Sequence, residues 1–187
     1  MSVERVEQEI VAMHHVCALR DNASSSIIKA MAQLGKPMND AFAAALLTLG
    51  SKHAPIEETQ QYFENYRNKV LDICPLPAIV PGFGSAWYKK QRDPAVETFF
   101  NNICGFSDNA AELVNDCDLY LEYVRKHTGK DIYPNAAMAT VVANLALKRD
   151  SILGMGLVIQ GRIAAWECIY SEHYINRGFG CGYFDGN

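Results

Sequence analysis

The chain has 187 residues, of which 49% are hydrophobic and 20% are charged. This length suits one domain or slightly more, at roughly 150 residues per domain, and the composition is that of a soluble globular protein rather than a disordered one. The 17 basic and 21 acidic residues give a formal net charge of -4. Because no cluster of Lys or Arg supplies the basic surface that nucleic acids or anionic membranes require, we expect neither as a partner.

The amino terminus and the cysteines indicate a cytoplasmic protein. Charged residues stand among the first nine positions, where a secretory signal needs an apolar run. The six cysteines form no CxxC pair, and the histidines lack the spacing of metal ligands. We therefore predict buried free thiols, no metal site and a cytoplasmic location.

Helical periodicity begins at the amino terminus. Apolar residues recur at spacings of three and four from Val3 to Cys17, which predicts a first helix. Two more helices are predicted over residues 22–34 and 39–49, because each segment lies between a capping Asn and a Gly.

The third predicted helix, residues 39–49, has an unusual composition. Alanines and large apolar residues fill positions 41–49 and leave almost no polar face. Such a helix is buried on all sides or lies in a subunit interface. We therefore predict a homodimer packed through the helices over 22–34 and 39–49.

The remaining sequence favours further helices and no strand. Residues 74–90, rich in Pro and Gly, form the one long irregular segment. The predicted fold class is all-α. The further helices are predicted over residues 55–73, 94–103, 107–127, 134–149 and 156–176, before a glycine-rich tail at 178–187.

Four polar features stand in unusual settings: His53, the loop Pro81-Gly-Phe-Gly-Ser85, Asp131 and Arg162. Each of the first three also has a structural interpretation. A His at a helix boundary is most often structural, a glycine-rich loop without a Lys-Ser/Thr pair binds phosphate poorly, and an Asp near a helix start is usually a cap. Arg162 differs because a guanidinium in an apolar helix must find a carboxylate from the protein or from a ligand.

Five segments, taken in chain order, resemble the citrate synthase family, which also includes methylcitrate synthases and citryl-CoA lyases. The resemblance covers nearly the whole chain but only the carboxyl-terminal half of a typical member. The segments are Asn22-Ala-Ser-Ser25, Leu49-Gly-Ser-Lys-His53 with Glu58, Pro81-Gly-Phe-Gly-Ser-Ala-Trp-Tyr-Lys89 with Asp93-Pro94, Gly129-Lys-Asp131-Ile-Tyr133, and Leu157-Val-Ile-Gln-Gly-Arg162 with Trp166.

The resemblance implies an all-α protein with a partial large domain and a small helical domain. Residues 1–54 and 151–187 correspond to large-domain helices and the dimer interface, and residues 55–150 correspond to a small CoA-binding domain. The implied substrates are an acyl-CoA thioester and a keto acid, with no permanently bound cofactor.

The resemblance also implies roles for individual residues. Asp131 is the base that removes the proton beside the thioester, and His53 is the donor that stabilises the enolate. Arg162 and the late Arg177 hold the carboxylates of the keto acid. Backbone at Gly82 and Gly84, with the neighbouring Lys89 and Lys90, would bind the cofactor portion of the thioester.

Three departures separate the chain from the family pattern. Ser85 stands where the family has the His that polarises the keto group, and it is the candidate catalytic residue there because its hydroxyl can donate a hydrogen bond but cannot become a cation. Ala95 stands where the family has a substrate-binding Arg, unless Arg92 substitutes. Leu19 stands where the family has another His, unless His14 or His15 takes its place.

Two hypotheses follow from the intact and the altered positions. In the first, the chain is an enzyme that makes or cleaves a carbon-carbon bond next to an acyl-CoA thioester. In the second, it is a catalytically inactive relative that serves as a binding or assembly protein.

Overall fold

The computed structural model describes residues 1–50, 53–70 and 76–176. Arg177, predicted to bind substrate, and the tail at 178–187 lie outside the described residues, as do Cys74 and Cys181.

The described residues form eight helices and no strand, which confirms the all-α prediction. A pair of backbone hydrogen bonds joins Gly50 and His53, and a second short pairing joins Phe83 and Pro134. The helices are α1 (Val3–Ala18), α2 (Ala23–Gln33), α3 (Met38–Leu46), α4 (Ile56–Arg67), α5 (Pro94–Ile103), α6 (Asp108–Thr128), α7 (Ala136–Ala146) and α8 (Ser151–Asn176).

The predicted caps fix several helix ends. Asn22 Oδ1 accepts a hydrogen bond from the Ser25 backbone N–H, and Ser25 Oγ accepts one from the Asn22 backbone N–H, which forms a capping box at α2. Asp93 caps α5 and Ser107 caps α6. Gly129 ends α6 in the left-handed conformation, with φ of 66°.

Two helices end earlier than predicted, α4 at Arg67 instead of residue 73 and α7 at Ala146 instead of residue 149. Both end in the same motif. One residue adopts the left-handed conformation, and the backbone N–H of the next residue donates to the carbonyl five residues before it. The left-handed residue is Lys69 in one case and Lys148 in the other. Because this position is usually Gly, the sequence carried no signal for either end.

The predicted bounds of α3 and α8 were also wrong. Helix α3 runs over Met38–Leu46 and stops three residues before the predicted end, whereas α8 begins at Ser151, five residues before the predicted start. Asp150 begins α8 by accepting hydrogen bonds from two backbone N–H groups of its first turn. Gly154 and Gly156 lie inside α8, where a helix tolerates glycine at a cost of about 1 kcal/mol each.

Helix α8 crosses the molecule and packs against α1, α2, α3, α4 and α7. A Cβ at Gly161 would overlap the Val11 carbonyl oxygen, and a Cβ at Gly154 would overlap the Asn144 amide. These glycines therefore allow α8 to approach α1 and α7 closely. By length and composition alone α8 is able to cross a membrane, a test that the core helix of a soluble protein also passes, and 44% of its apolar window is buried.

The apolar side chains form two clusters. The larger joins α1, α4, α5, α6, α7 and the first half of α8 and therefore spans both parts of the predicted domain division. The smaller joins α2, α3 and the second half of α8 around Trp166. The division into domains at residues 54 and 151 remains a prediction.

Helix α3 is not buried on all sides in the single chain. Only Ala41 and Ala45 are fully buried, and Leu47 just beyond it is 87% exposed. The first of the two alternatives for this helix is therefore wrong, and the subunit interface remains a prediction.

Candidate functional site

A cleft of about 770 Å³ opens among the ends of several helices. Its walls come from the α1–α2 corner, the turn before α4, the loop at residues 79–87, the first turn of α7 and one residue of α8. Three of the predicted site residues meet here, namely His53, Ser85 and Arg162, together with Gly82 and Gly84.

Arg162 lies at the buried wall of the cleft, with 6% of its surface exposed. Its Nη1 donates to His53 Nε2 at 2.9 Å and to Ser24 Oγ at 3.1 Å. Its Nε has no partner within the described residues. Helix α8 fixes this position because Gly161, next in the chain, packs against α1.

The charge of Arg162 has no carboxylate partner among the described residues. Burial lowers its pKa to about 10, so the side chain remains a cation at neutral pH. An unpaired buried cation is costly. The guanidinium therefore offers a strong site for the carboxylate of a ligand that enters the cleft.

His53 is a neutral imidazole in this arrangement. Because a guanidinium only donates hydrogen bonds, His53 Nε2 must accept from Arg162, and the ring proton lies on Nδ1. Burial and the charge of Arg162 lower the pKa of His53 to about 4. A neutral imidazole can donate its N–H to developing negative charge without first losing a proton.

His14 forms the floor of the cleft beside this pair. Its Nε2 lies 2.8 Å from Thr140 Oγ1, and the Thr140 hydroxyl donates to the Ala136 carbonyl. His14 Nε2 must therefore carry the proton, which leaves Nδ1 as a buried acceptor without a partner in the described residues. Burial, with the charge of Arg162, lowers the pKa of His14 to about 3.

A second arginine, Arg20, enters the cleft from the α1–α2 corner. Both of its terminal nitrogens bind the Asp93 carboxylate, with Nη2 3.1 Å from Oδ1. The guanidinium also stacks on Tyr88, 4.9 Å from the ring centroid. Burial and Asp93 raise the pKa of the adjacent Cys17 thiol to about 11, so this thiol is unreactive at neutral pH.

The glycine-rich loop is held by the segment before α7. Gly84 N–H donates to the Tyr133 carbonyl at 2.8 Å, and Asn135 N–H donates to the Gly82 carbonyl at 2.9 Å. Both glycines have φ above 80°. A Cβ at Gly82 would overlap Thr59, so packing alone requires glycine there, whereas the space beside Gly84 is open.

Ser85 lines the cleft and also holds its own loop. Its Oγ accepts the backbone N–H groups of Trp87 and Tyr88, both at 3.2 Å. Its hydroxyl proton remains able to donate, since neither bond uses it. The loop is tied to the α1–α2 corner where Trp87 Nε1 donates to the Asp21 carbonyl at 3.1 Å.

Asp131, predicted as the base, does not line the cleft. Its carboxylate is 67% exposed and lies 3.3 Å from Arg125 Nη2. The neighbouring Lys130 contacts the Ala78 carbonyl, at the start of the cleft loop. Asp131 therefore lies near the outer side of that loop, and its predicted role is untested by this arrangement.

Arg92, Lys89 and Lys90 also lie outside the cleft. Arg92 does not substitute for the arginine absent at Ala95, because it pairs with Glu97 and Asp118 and stacks over Phe100. Lys89 and Lys90 are exposed and contribute nothing to the lining.

Sequence reasoning missed Arg20 as a contributor to the cleft and gave no role to Ser24. Arg20 lies two positions before the Asn22 motif and lines the cleft, whereas Ser24 lies within the motif, where it donates to Asn22 Oδ1 at 2.7 Å and accepts from Arg162. Proximity to the motif was the available signal. The sequence indicates His14 only as an alternative to Leu19, and the structure brings His14 into the cleft while His15 does not line it.

One carboxylate in the cleft makes no hydrogen bond or ion pair with the described residues. This residue is Glu58, in the first turn of α4. No group of three or more His, Cys, Asp or Glu side chains among the described residues is placed to hold a metal ion.

Two solved structures have a fold similar to this arrangement of helices. The citryl-CoA lyase of Hydrogenobacter thermophilus matches with a TM-score of 0.70 and 21% identity, over 93% of this chain and 70% of that one. The citrate synthase of Thermotoga maritima MSB8 matches with a TM-score of 0.64 and 19% identity, over 93% of this chain and 51% of that one.

The chain therefore has a citrate synthase-like fold, as the sequence resemblance implied. It spans about half the length of the citrate synthase and somewhat more of the lyase. No family model and no curated protein sequence matches it.

Proposed function

We propose that this protein is an acyl-CoA enzyme that forms or cleaves a carbon-carbon bond between an acyl-CoA thioester and a keto acid. The observation that carries the proposal is the buried Arg162 cation, which faces the cleft beside His53 without a protein carboxylate. In a citrate synthase-like fold, this cation is suited to hold the carboxylate of the keto acid.

The reaction needs a base for the proton next to the thioester, a donor for the enolate oxygen and a donor for the keto oxygen. His53 is the enolate donor, because its imidazole is neutral and carries one N–H. Ser85 is the donor to the keto oxygen, because its hydroxyl proton is not used by the loop. Arg177, which the resemblance also implies as a substrate ligand, lies outside the described residues.

Asp131 is the proposed base. It must exchange its contact with Arg125 for a place in the cleft when the thioester binds. Glu58 is the competing carboxylate, since it already lines the cleft and has no partner in the described residues. Substitution of each carboxylate separates the two assignments.

The cofactor portion of the thioester is proposed to bind along the outer side of the glycine-rich loop. The open space beside Gly84 admits a ligand close to the backbone. The exposed Lys89 and Lys90 would bind its phosphates.

A catalytically inactive binding or assembly protein is the second candidate function. The placement of Asp131 favours it, because a carboxylate that is 67% exposed beside an arginine is an ordinary surface group. The intact Arg162 site would then bind a ligand without turning it over.

Deuterium exchange into acetyl-CoA tests the proposal, because enolisation needs only the base and the enolate donor. We expect slow exchange by the unaltered protein, lost in Asp131→Asn. Exchange lost in Glu58→Gln instead would transfer the base to Glu58. The control is Asp116→Asn, which removes a carboxylate paired with Arg67 outside the cleft and should exchange normally.

Two results separate the candidate functions. Exchange or citrate formation that depends on His53 and on either carboxylate supports the enzyme. Absence of exchange in the folded protein, with a thermal shift produced by acetyl-CoA or oxaloacetate, supports the binding protein.

The proposal includes a homodimer built on α2 and α3. The exposed Leu47 and Leu34 lie at the ends of these helices. Light scattering should give twice the chain mass of 20.8 kDa, and Leu47→Glu should shift the protein toward a monomer. A monomer for the unaltered protein at micromolar concentration would contradict this interface.

A further inference from the structure

The charged side chains that line the cleft differ in whether they have an oppositely charged partner. Arg162 has no carboxylate partner within the described residues, whereas Arg20 is engaged by Asp93 through both terminal nitrogens. Asp21, at the rim, contacts Lys29. The two cleft histidines add no positive charge, because each has a pKa of about 4 or below.

Asp93 is fixed in place by more than its pairing with Arg20. Its side chain is 8% exposed, and Oδ1 accepts the Ala95 backbone N–H at 2.9 Å to cap α5. Arg20 is held from its other face by Tyr88. A ligand carboxylate that approached Arg20 would therefore meet an ion pair without net charge, because repulsion from Asp93 would offset the attraction to Arg20.

Glu58 adds a negative charge to the same cleft. It has no cationic partner among the described residues, so it repels any anionic group beyond the one that Arg162 binds. Sequence position 95, where the family pattern has an arginine, is Ala95 and supplies no cation.

We propose that the cleft selects a 2-keto acid with a single carboxylate and rejects dicarboxylic keto acids, with Asp93 and Glu58 as the residues that set this preference. The inference rests on the proposed function, because it assumes that Arg162 binds the keto-acid carboxylate. Arg162 binds the one carboxylate, and the remainder of the ligand meets either the Arg20–Asp93 pair or Glu58.

Calorimetric titration of the full chain with 2-oxobutyrate and freshly dissolved oxaloacetate tests the preference. These ligands differ at C4, which is a methyl group in one and a carboxylate in the other. We expect a dissociation constant about tenfold lower for 2-oxobutyrate, the factor that corresponds to one unfavourable charge contact of about 1.4 kcal/mol.

Two variants assign the preference to its residues. Asp93→Asn keeps a side chain able to cap α5 and frees Arg20, so oxaloacetate should bind about tenfold more tightly than to the unaltered protein. Glu58→Gln should improve oxaloacetate binding by a smaller factor. The control Asp116→Asn removes the same charge from the Arg67 pair outside the cleft and should leave both constants within about twofold.

The outcomes separate this inference from the proposed function. Oxaloacetate binding that equals or exceeds 2-oxobutyrate binding, and is lost in Arg162→Met, would overturn the inference alone. If oxaloacetate binding of that strength is lost in Arg177→Ala, Arg177 supplies a second cation, and the inference is overturned as well. Absence of binding by both ligands in the folded protein would overturn the proposed function together with the inference. The comparison of 2-oxobutyrate with oxaloacetate uses the unaltered protein and so does not depend on the folding of any variant.

Discussion

The first wall of the cleft, which holds Arg162, His53 and His14, and the surface region around Asp131 and Arg92 differ in how their polar groups are held. In the first wall, Arg162 and His14 are buried and His53 is half-buried. Arg162 has no carboxylate partner and His14 Nδ1 has no hydrogen-bond partner among the described residues. In the surface region, outside the cleft, Asp131 is exposed and Arg92 is paired with surface charges. Unpaired polar groups are retained where a ligand completes them, so the first wall is the stronger evidence for a binding site.

The comparison also separates carboxylate binding from proton removal. The first wall already has the geometry to hold an anion. The surface region must change its contacts before Asp131 can reach the cleft. Variants of the first wall should therefore alter binding in the resting protein, whereas variants of Asp131 should alter only turnover.

The largest expected effect on ligand binding follows from removal of the Arg162 cation. Arg162→Met should weaken keto-acid binding by about 30-fold or more, because loss of one partner of a buried charge pair costs about 2 kcal/mol or more. The same variant should raise the free energy of unfolding by about 1 kcal/mol or more, since it removes an uncompensated buried charge. Calorimetry and urea denaturation measure the two effects.

Arg67→Met is the matched control for this variant. Arg67 is paired with Asp116, outside the cleft, so its loss should leave binding unchanged and should not stabilise the protein. Retention of full affinity by Arg162→Met would contradict the carboxylate site.

A pH dependence of stability is expected from the first wall. The pKa of His14 is lowered to about 3 in the folded protein, below the value of about 6.5 in the unfolded chain. The unfolded state therefore binds more protons as the pH falls below 6.5, and stability is lost progressively toward pH 3. Between pH 7 and pH 4 this residue should reduce the free energy of unfolding by about 3 kcal/mol.

Urea denaturation across this pH range, compared between two variants, isolates the contribution of His14. His14→Gln should flatten the profile, and His15→Gln, which changes a residue outside the cleft, should not. Identical profiles for the unaltered protein and His14→Gln would show that burial of His14 does not govern acid stability.

The contact between α8 and α1 positions Arg162 and gives the next effect. Gly161→Ala should destabilise the protein by about 2 kcal/mol, because the added Cβ would overlap the Val11 carbonyl and force the helices apart. Gly156→Ala is the matched control, since nothing lies near its Cβ position. It should stabilise the helix by about 0.8 kcal/mol, and thermal denaturation should show opposite shifts for the two.

The fold was largely predictable because local signals agree with the tertiary structure. Asn22, Asp93 and Ser107 are caps in both sequence and structure, and Gly129 ends a helix as its position indicates. The errors occur where a left-handed Lys ends a helix without a local signal, as at Lys69 and Lys148, or where tertiary contacts override local signals. Glycines inside α8 resemble helix breakers until the close approach to α1 and α7 is visible.

The site was predictable only in part, for a different reason. His53 and Arg162 carry the family resemblance and do meet, 2.9 Å apart. The ion pair between Arg20 and Asp93 joins residues 73 positions apart, and no local pattern indicates such a contact. Asp131 is likewise paired with Arg125, which no motif includes.

The smallest expected effect distinguishes the two roles of Ser85. Ser85→Ala removes the acceptor of two backbone N–H groups and should destabilise the protein by about 1 kcal/mol, as loss of a capping hydroxyl does. Ser107→Ala is a matched control, because Ser107 Oγ accepts the Ala110 N–H at 3.1 Å far from the cleft, and its cost should be similar. If Ser85 also donates to the keto oxygen, only Ser85→Ala should lower the rate of condensation or cleavage, while both variants lose similar stability. Equal rates for the two variants would restrict Ser85 to holding the loop.

Trp87 reports on this loop directly, because its indole is 53% exposed and bonded to the Asp21 carbonyl. A fluorescence change confined to Ser85→Ala would then show that loss of the hydroxyl loosens the cleft wall, so the rate would be compared with Ser85→Asn, whose side-chain oxygen can accept the same backbone N–H groups.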